Sequence, residues 1–405
     1  MDPGTPLKVV SVLFRPPRGD FDNSYASVEV SLVRSSMVQN PDNSSSPSLP
    51  SPSPPLANAS LAEHLDLFTT ATTLSKREND RVRCLACGHR CLMASGQRGV
   101  CQVRFNRAGT LHAPYGYVAG LIADPVEKKP FFHLLPGAKA LTFGMLGCNF
   151  HCGFCQNWLS SQALKTPRAI GQIEPITPEE IVRIAQQHQA RMVVSSYNEP
   201  VITIEWAASV FELATRHKLL CAFVSNGHAT VEALQFVRPW MNAIKIDLKT
   251  FHHDKYRALG GSLDQVTSII RNAREMGFWV EVVTLLIPGF NDSDDELHSL
   301  THFLTSVSPD IPWHVTAFHP DYQMIHPRPT QAGDLLKAVT IGQAEGLKYI
   351  YAGNLPGQVR QWEDTRCPTC KKPLVERAGF RVRSYRISHQ GCCPDCHTVI
   401  PGIWS

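Results

Sequence analysis

Cys148, Cys152 and Cys155 stand in the order Cys-x3-Cys-x2-Cys within the stretch GMLGCNFHCGFCQNW. A disulfide would use two thiols, and a closed structural metal site would use four ligands. Three thiolates leave one coordination position open. An iron–sulfur cubane held by three cysteines keeps one iron free for another molecule, so the spacing reads as a 4Fe-4S site with an open corner. A zinc ion completed by a distant ligand such as His151 is the competing reading. Position favours the cluster: the motif follows the apolar run ALTFGML, and the loop after a barrel strand is where such folds place their chemistry.

Twelve of the thirteen cysteines fall in three clusters, and Cys221 stands alone in an apolar run, as a core residue would. CPTC at 367–370 and CPDC at 393–396 offer Cys367, Cys370, Cys393 and Cys396 as two knuckles, the pattern of a zinc ribbon with a structural Zn2+. Cys392 is an extra thiol beside the second knuckle, and His397 is a poorer substitute ligand. The segment CLACGHRCLMASGQRGVC supplies Cys84, Cys87, Cys91 and Cys101, again a closed four-thiolate set, for zinc or a second iron–sulfur cluster. It does not repeat the first motif, because position 94 is Ala94.

These residues need a scaffold, and 405 residues are enough for one large domain with small appendages. A net charge of +4 gives no field that argues for nucleic acid, and no apolar run is long enough for a membrane span. The apolar stretch Val9 to Phe14 is too short for an export signal. Paired cysteines without such a signal point to metal binding in a reducing, cytoplasmic setting. Residues 1–60 read as a disordered Ser/Pro-rich extension. Within it, residues 8–14 and 26–34 have weak strand character and lack a sheet partner.

From Ala138 onward strands alternate with helices. The predicted strands are ALTFGML, RMVVSS, LLCAFVS, AIKIDL, FWVEVVTLL, HVTAF and KYIYAG. Between them TPEEIVRIAQQHQ opens with a Thr cap and Pro at the first helical position, and further helices are predicted over 201–216, 230–237, 264–276, 294–306 and 331–344. The pattern predicts an α/β protein with a parallel sheet, a partial (β/α)6 TIM-like barrel. The expected divisions are a Cys-rich N-terminal segment over 61–137, the core domain over 138–355 and a zinc-ribbon-like module over 356–405.

The Cys-x3-Cys-x2-Cys motif is the signature of the radical S-adenosylmethionine (radical SAM) enzymes, which the sequence resembles across 138–355. The resemblance implies a 4Fe-4S cluster whose free iron binds SAM, reductive cleavage to a 5′-deoxyadenosyl radical, and hydrogen abstraction from a substrate. It sets Phe154 beside the adenine and Glu199, in SSYNEP, against the cofactor ammonium. Tyr197 and Asn198 stand where the family has glycines. Asn226 and Gly227 in VSNGH, and His319 in AFHP, fall at strand ends on the same rim, and Asn226, Asp247, Lys249 and His319 join Phe154 and Glu199 as the expected cofactor-binding residues. Asp247 and Lys249 in IKIDLKT resemble the Asp-Leu-Lys of glycyl-radical activating enzymes. Each also has a plainer reading: Asn-Gly forms turns, Asp247 with Lys249 forms an ion pair, and His-Pro ends a strand.

The order of a four-cysteine head, GYVAGLIADPVEKKPFFHLLPG, YNEP, DLK, FHPDYQM, YAGN and a terminal ribbon resembles the radical SAM member of the AmmeMemoRadiSam system, a pyruvate formate-lyase activating enzyme-like family. That resemblance implies an electron donor such as flavodoxin or ferredoxin, and a protein substrate or AMMECR1-like or Memo-like partner. Activators in the wider group carry an Asp where this chain has Val224. A glycyl-radical activase and a metal-stabilised interaction protein without catalysis are the alternative functions.

Overall fold

A computed structural model of the chain describes residues 60–165 and 172–405, and the short strand Val28–Glu29. Its centre is a nine-stranded sheet. Strand β1 (Gly120–Pro125) lies antiparallel to β2 (Lys139–Gly144), and the sheet then runs on in parallel. The parallel run continues through β3 (Met192–Ser195), β4 (Leu220–Ser225), β5 (Ala243–Asp247), β6 (Trp279–Leu286), β7 (Trp313–Ala317) and β8 (Ile350–Gly353). Helices follow β2 to β7, and β8 adds a last parallel strand, so the expected partial (β/α)6 barrel is the observed one.

Every residue of β3 and β7 is buried, including the polar Ser195, His314 and Thr316, as expected of strands covered on both faces. Register ties them tightly: Val193 stands opposite Leu141 on one side and Cys221 on the other. Cys221 is buried in that core, as its surroundings in the sequence predicted. Helix α1 (Pro178–Gln187) starts at the foreseen place, with Thr177 and Glu180 closing a capping box. Helix α2 (Ile204–Arg216) is preceded by a 3-10 turn at Pro200–Thr203. The short helix His253–Ala258 was not foreseen.

Two expectations change. The central sheet begins before residue 138, because β1 pairs with β2 along its whole length, from Pro125 opposite Lys139 to Gly120 opposite Gly144. Within 26–34, the described residues Val28–Glu29 do have a partner: they pair with Ile122 and Ala123 on the free edge of β1. An edge strand offers unpaired backbone groups that such a segment can join. The remainder of the Ser/Pro-rich extension lies outside the described residues.

The head is built from small hairpins and is locked to the barrel by a buried ion pair. Arg104, 1% exposed, donates to both carboxylate oxygens of Glu205 on α2 at 2.7 Å, and to the Ile202 carbonyl at 3.1 Å. The C-terminal module docks through the segment PFFHLLPG. There His133 bonds the Tyr351 hydroxyl and the Pro401 carbonyl, each at 2.6 Å, and Arg377 donates to the Phe132 carbonyl at 2.9 Å. No helix among the described residues is long and apolar enough to cross a membrane.

Candidate active site

A cavity of about 390 Å³ opens where the parallel strands end, and residues from nearly every loop on that rim reach it. The loop after β2 brings Cys148, Cys152 and Cys155 to its wall. Gly147 turns the chain into this loop with φ of 99°, and a Cβ there would stand 2.9 Å from a Val103 methyl of the head. Only glycine fits. Lys165 pins the far side by donating to the Cys148 carbonyl at 2.5 Å and the Phe150 carbonyl at 3.0 Å.

Burial pushes all three thiols up, Cys152 to about 11 despite the lowering effect of Lys249. Thiols held this way are poor free nucleophiles, and a metal that bound them would have to displace their protons. Phe154 between them is buried, 5.8 Å from the Phe290 ring and 5.9 Å from the Lys249 ammonium.

Glu199 lies deeper, 3% exposed, and accepts from Ser225 Oγ and Asn226 N at 2.7 Å and from Val201 N at 3.1 Å. Among the described residues it has no ion-pair partner, and burial pushes its carboxyl up to about 7 against those hydrogen bonds. A desolvated carboxylate with donors on one side and a cavity on the other fits a cationic amine. Nearby Tyr197 takes φ of 69°, the left-handed region that glycine favours. The strained Tyr197 is held by Lys129, which donates to its hydroxyl at 3.0 Å.

Asp247 and Lys249 pair at 3.2 Å, and Lys245 from the same strand closes on the other Asp247 oxygen. Burial would push the Asp247 carboxyl up, but the two ammonium groups outweigh it and hold it at about 2. The pairing reading and the site reading therefore coexist in one place. Asn226 lines the cavity and donates to Asn149 Oδ1 at 2.8 Å. Gly227 turns with φ of 72° against Ile246. His319 is the exception: it is exposed, sits 3.0 Å from Gln156 Nε2 and lies outside the cavity lining.

Sequence reasoning passed over Lys128, Lys129, Lys245, Ser225, Thr316 and Asn354, all of which line the cavity. Only the doublet in VEKKP carried a visible signal. Val224 also lines the cavity.

The C-terminal cysteines form a separate centre. Cys367, Cys370, Cys393 and Cys396 bring their sulfurs within 4.8 Å of one another, with Cys367 to Cys396 at 3.5 Å and Cys370 to Cys393 at 3.7 Å. Zinc–thiolate bonds of about 2.3 Å place tetrahedral sulfurs about 3.8 Å apart, so the set fits a single ion of that size. Cys392 lies outside this set, bonded to the Gln390 carbonyl. In the head, Cys84 lies within electrostatic reach of Cys87, Cys91 and Cys101.

A parallel partial barrel with a three-cysteine loop at its rim defines a class of enzyme. The radical SAM superfamily matches residues 143–301. An uncharacterized protein of Methanocaldococcus jannaschii is 35% identical over 310 residues, which is 76% of this chain and 91% of that one. The chain belongs to the radical SAM superfamily. The isethionate sulfite-lyase activating enzyme of Oleidesulfovibrio alaskensis is 24% identical over 173 residues, 40% of this chain and 55% of that enzyme. A domain of pyruvate-formate lyase-activating enzyme from Bacteroides vulgatus aligns with TM-score 0.36 and 18% identity, over 40% of this chain and 99% of that domain.

Proposed function

We propose that Cys148, Cys152 and Cys155 hold a 4Fe-4S cluster and that Glu199, Asn226, Asp247, Lys249 and Phe154 seat SAM beside it. The observation that carries this reading is the meeting on one cavity of three thiols, one buried and two half-buried, with a buried carboxylate that has no ion-pair partner among the described residues. Bound together, cluster and SAM supply the 5′-deoxyadenosyl radical that abstracts hydrogen from substrate. The chain's own work is positioning. Ser225, Asn226 and Val201 fix the Glu199 carboxylate, Lys245 and Lys249 fix Asp247, and the aromatic wall of Phe154 keeps water from the reacting atoms. His319, exposed at the rim, stands in the second rank of this proposal.

A one-electron donor such as flavodoxin or ferredoxin supplies the reductant, and the setting is cytoplasmic. The C-terminal four-cysteine centre takes structural zinc. Membership of the AmmeMemoRadiSam group, with an AMMECR1-like or Memo-like partner, belongs to the same proposal. Asp247-Leu248-Lys249 favours a glycyl-radical activase as second reading, while Val224 in place of an Asp speaks against close identity with those activators.

Anaerobically reconstituted protein reduced with dithionite should cleave SAM to 5′-deoxyadenosine and methionine. A fully loaded protein that leaves SAM intact would favour a non-catalytic interaction protein. A glycyl radical signal on a partner enzyme would decide for the activase.

A further inference from the structure

The head cysteines stand beside the loop that the proposed function uses, not on a remote face. Cys87 bridges to Ala229, Gly88 donates to the His228 carbonyl at 2.9 Å, and Thr230 N donates to the Ala86 carbonyl at 3.2 Å. These partners directly follow Asn226. His89 Nε2 lies 3.1 Å from the Asn149 carbonyl, one residue after Cys148. Val103, two residues beyond Cys101, is the side chain that presses on Gly147.

We propose that Cys84, Cys87, Cys91 and Cys101 hold a second iron–sulfur cluster that passes single electrons to the centre at Cys148, Cys152 and Cys155. The relay half of this inference rests on the cluster assignment above; the metal half does not.

Sulfur spacing carries the choice of metal. The C-terminal set is drawn together as one ion demands. Among the described residues it is the only set to bring three or more ligand atoms within 4.8 Å of one another. No three of the head sulfurs lie that close together, and neither do those of Cys148, Cys152 and Cys155. A body of several iron atoms holds its thiolates further apart than a single ion does. Two spacings in one chain mark two kinds of centre, and the head shares the wider kind.

Asn149 carries the connection. It is 2% exposed, and its Oδ1 accepts from Asn226 at 2.8 Å. Its Nδ2 is buried without a hydrogen-bond partner, and the side chain reaches toward the Cys87 sulfur. An orphaned buried N–H costs stability unless an acceptor arrives, and cluster sulfur or cluster-bound thiolate is such an acceptor. Asn149 is thus one side chain between two sulfur sets. Buried Arg104, paired with Glu205, lies within electrostatic reach of Cys84 and Cys101. Cys91, half-buried, is the head thiol nearest to solvent. One electron enters there from a carrier of the flavodoxin or ferredoxin class, reduces the head centre, and moves on to the second centre, leaving the head oxidised again.

The full chain with Cys148, Cys152 and Cys155 all changed to Ser, reconstituted anaerobically with iron, sulfide and zinc, tests the metal. It should keep about four iron and four sulfide atoms per chain, with visible absorbance that bleaches on reduction. A colourless variant holding two zinc ions overturns the proposal and leaves the catalytic cluster reading standing. Iron unchanged from the wild-type chain, by contrast, sinks that other reading. Should the triple variant not fold, the wild-type chain serves: about eight iron atoms per chain are expected and about four overturn the proposal. Electron paramagnetic resonance of the fully reduced wild-type chain should show two magnetically coupled centres. A single uncoupled signal refutes the relay.

Discussion

Replacing Glu199 by Gln separates what the carboxylate does for the fold from what it does for the cofactor. Burial raises this carboxyl from 4.5 to about 7, which corresponds to about 3 kcal/mol of destabilisation once it is ionised. The sign follows from the raised value. The cost is absent below the unfolded value, grows as pH rises from 4.5 through about 7, and is complete above. Gln removes that cost. It keeps the contact with Asn226 N through its oxygen, and its amide can donate to Ser225 Oγ. It then faces Val201 N with a second donor, a lost hydrogen bond worth about 1–3 kcal/mol. The two changes nearly offset, so anaerobic urea unfolding at pH 8 should show E199Q within about 2 kcal/mol of wild type. SAM affinity should behave differently. An ammonium left without its buried counter-charge loses about 3 kcal/mol, or about 100-fold in Kd by calorimetry on cluster-loaded protein. Wild-type affinity should also fall as pH drops through about 7, and that slope should vanish in E199Q. A variant that binds SAM as tightly as wild type, with the same pH slope, would refute the role given to Glu199.

Cys155→Ala should abolish iron loading at the catalytic loop and SAM cleavage while leaving the C-terminal metal in place, as read by metal analysis per chain. Asp247→Asn strands Lys245 and Lys249 in the cavity wall. Because the Asp247 value is depressed to about 2, its stabilisation is present above 3.8 and is lost as pH falls toward about 2. With 31% of the side chain open to the cavity, solvent trims the loss to about 2 kcal/mol at neutral pH, measured by denaturant unfolding. Gly144→Ala puts a Cβ 2.7 Å from the Ser196 carbonyl oxygen and 2.9 Å from the Tyr197 ring. It should cost about 1–3 kcal/mol and weaken SAM binding by displacing the loop that carries Glu199, seen as a lower Tm and a raised Kd.

The strand–helix alternation, the cap of α1 and the three cysteine sets were legible in the sequence because each depends on residues close along the chain. Period, capping chemistry and Cys spacing are local properties. The placement of Glu199, Asp247 and Lys249 at the strand-end rim was also legible, since each follows or ends a run that reads as a strand. The pairing of Val28–Glu29 with β1, and of β1 with β2, was not: an edge partner leaves no local mark. Lys128, Lys129 and Thr316 were missed because they come from segments far apart, and only the curvature and register of the sheet turn them to one cavity. The ordered contacts of Asn149 are of the same sort, made by three loops that meet only in the folded chain.

Sequence alone determined that this chain gathers thiolates at three places and builds a barrel rim to carry one of them. Tertiary structure decided which four sulfurs come within 4.8 Å of one another, and that the head presses on the cysteine loop after β2. Ligand identity is written residue by residue, whereas the distance between ligands is set by what the rest of the fold packs around them.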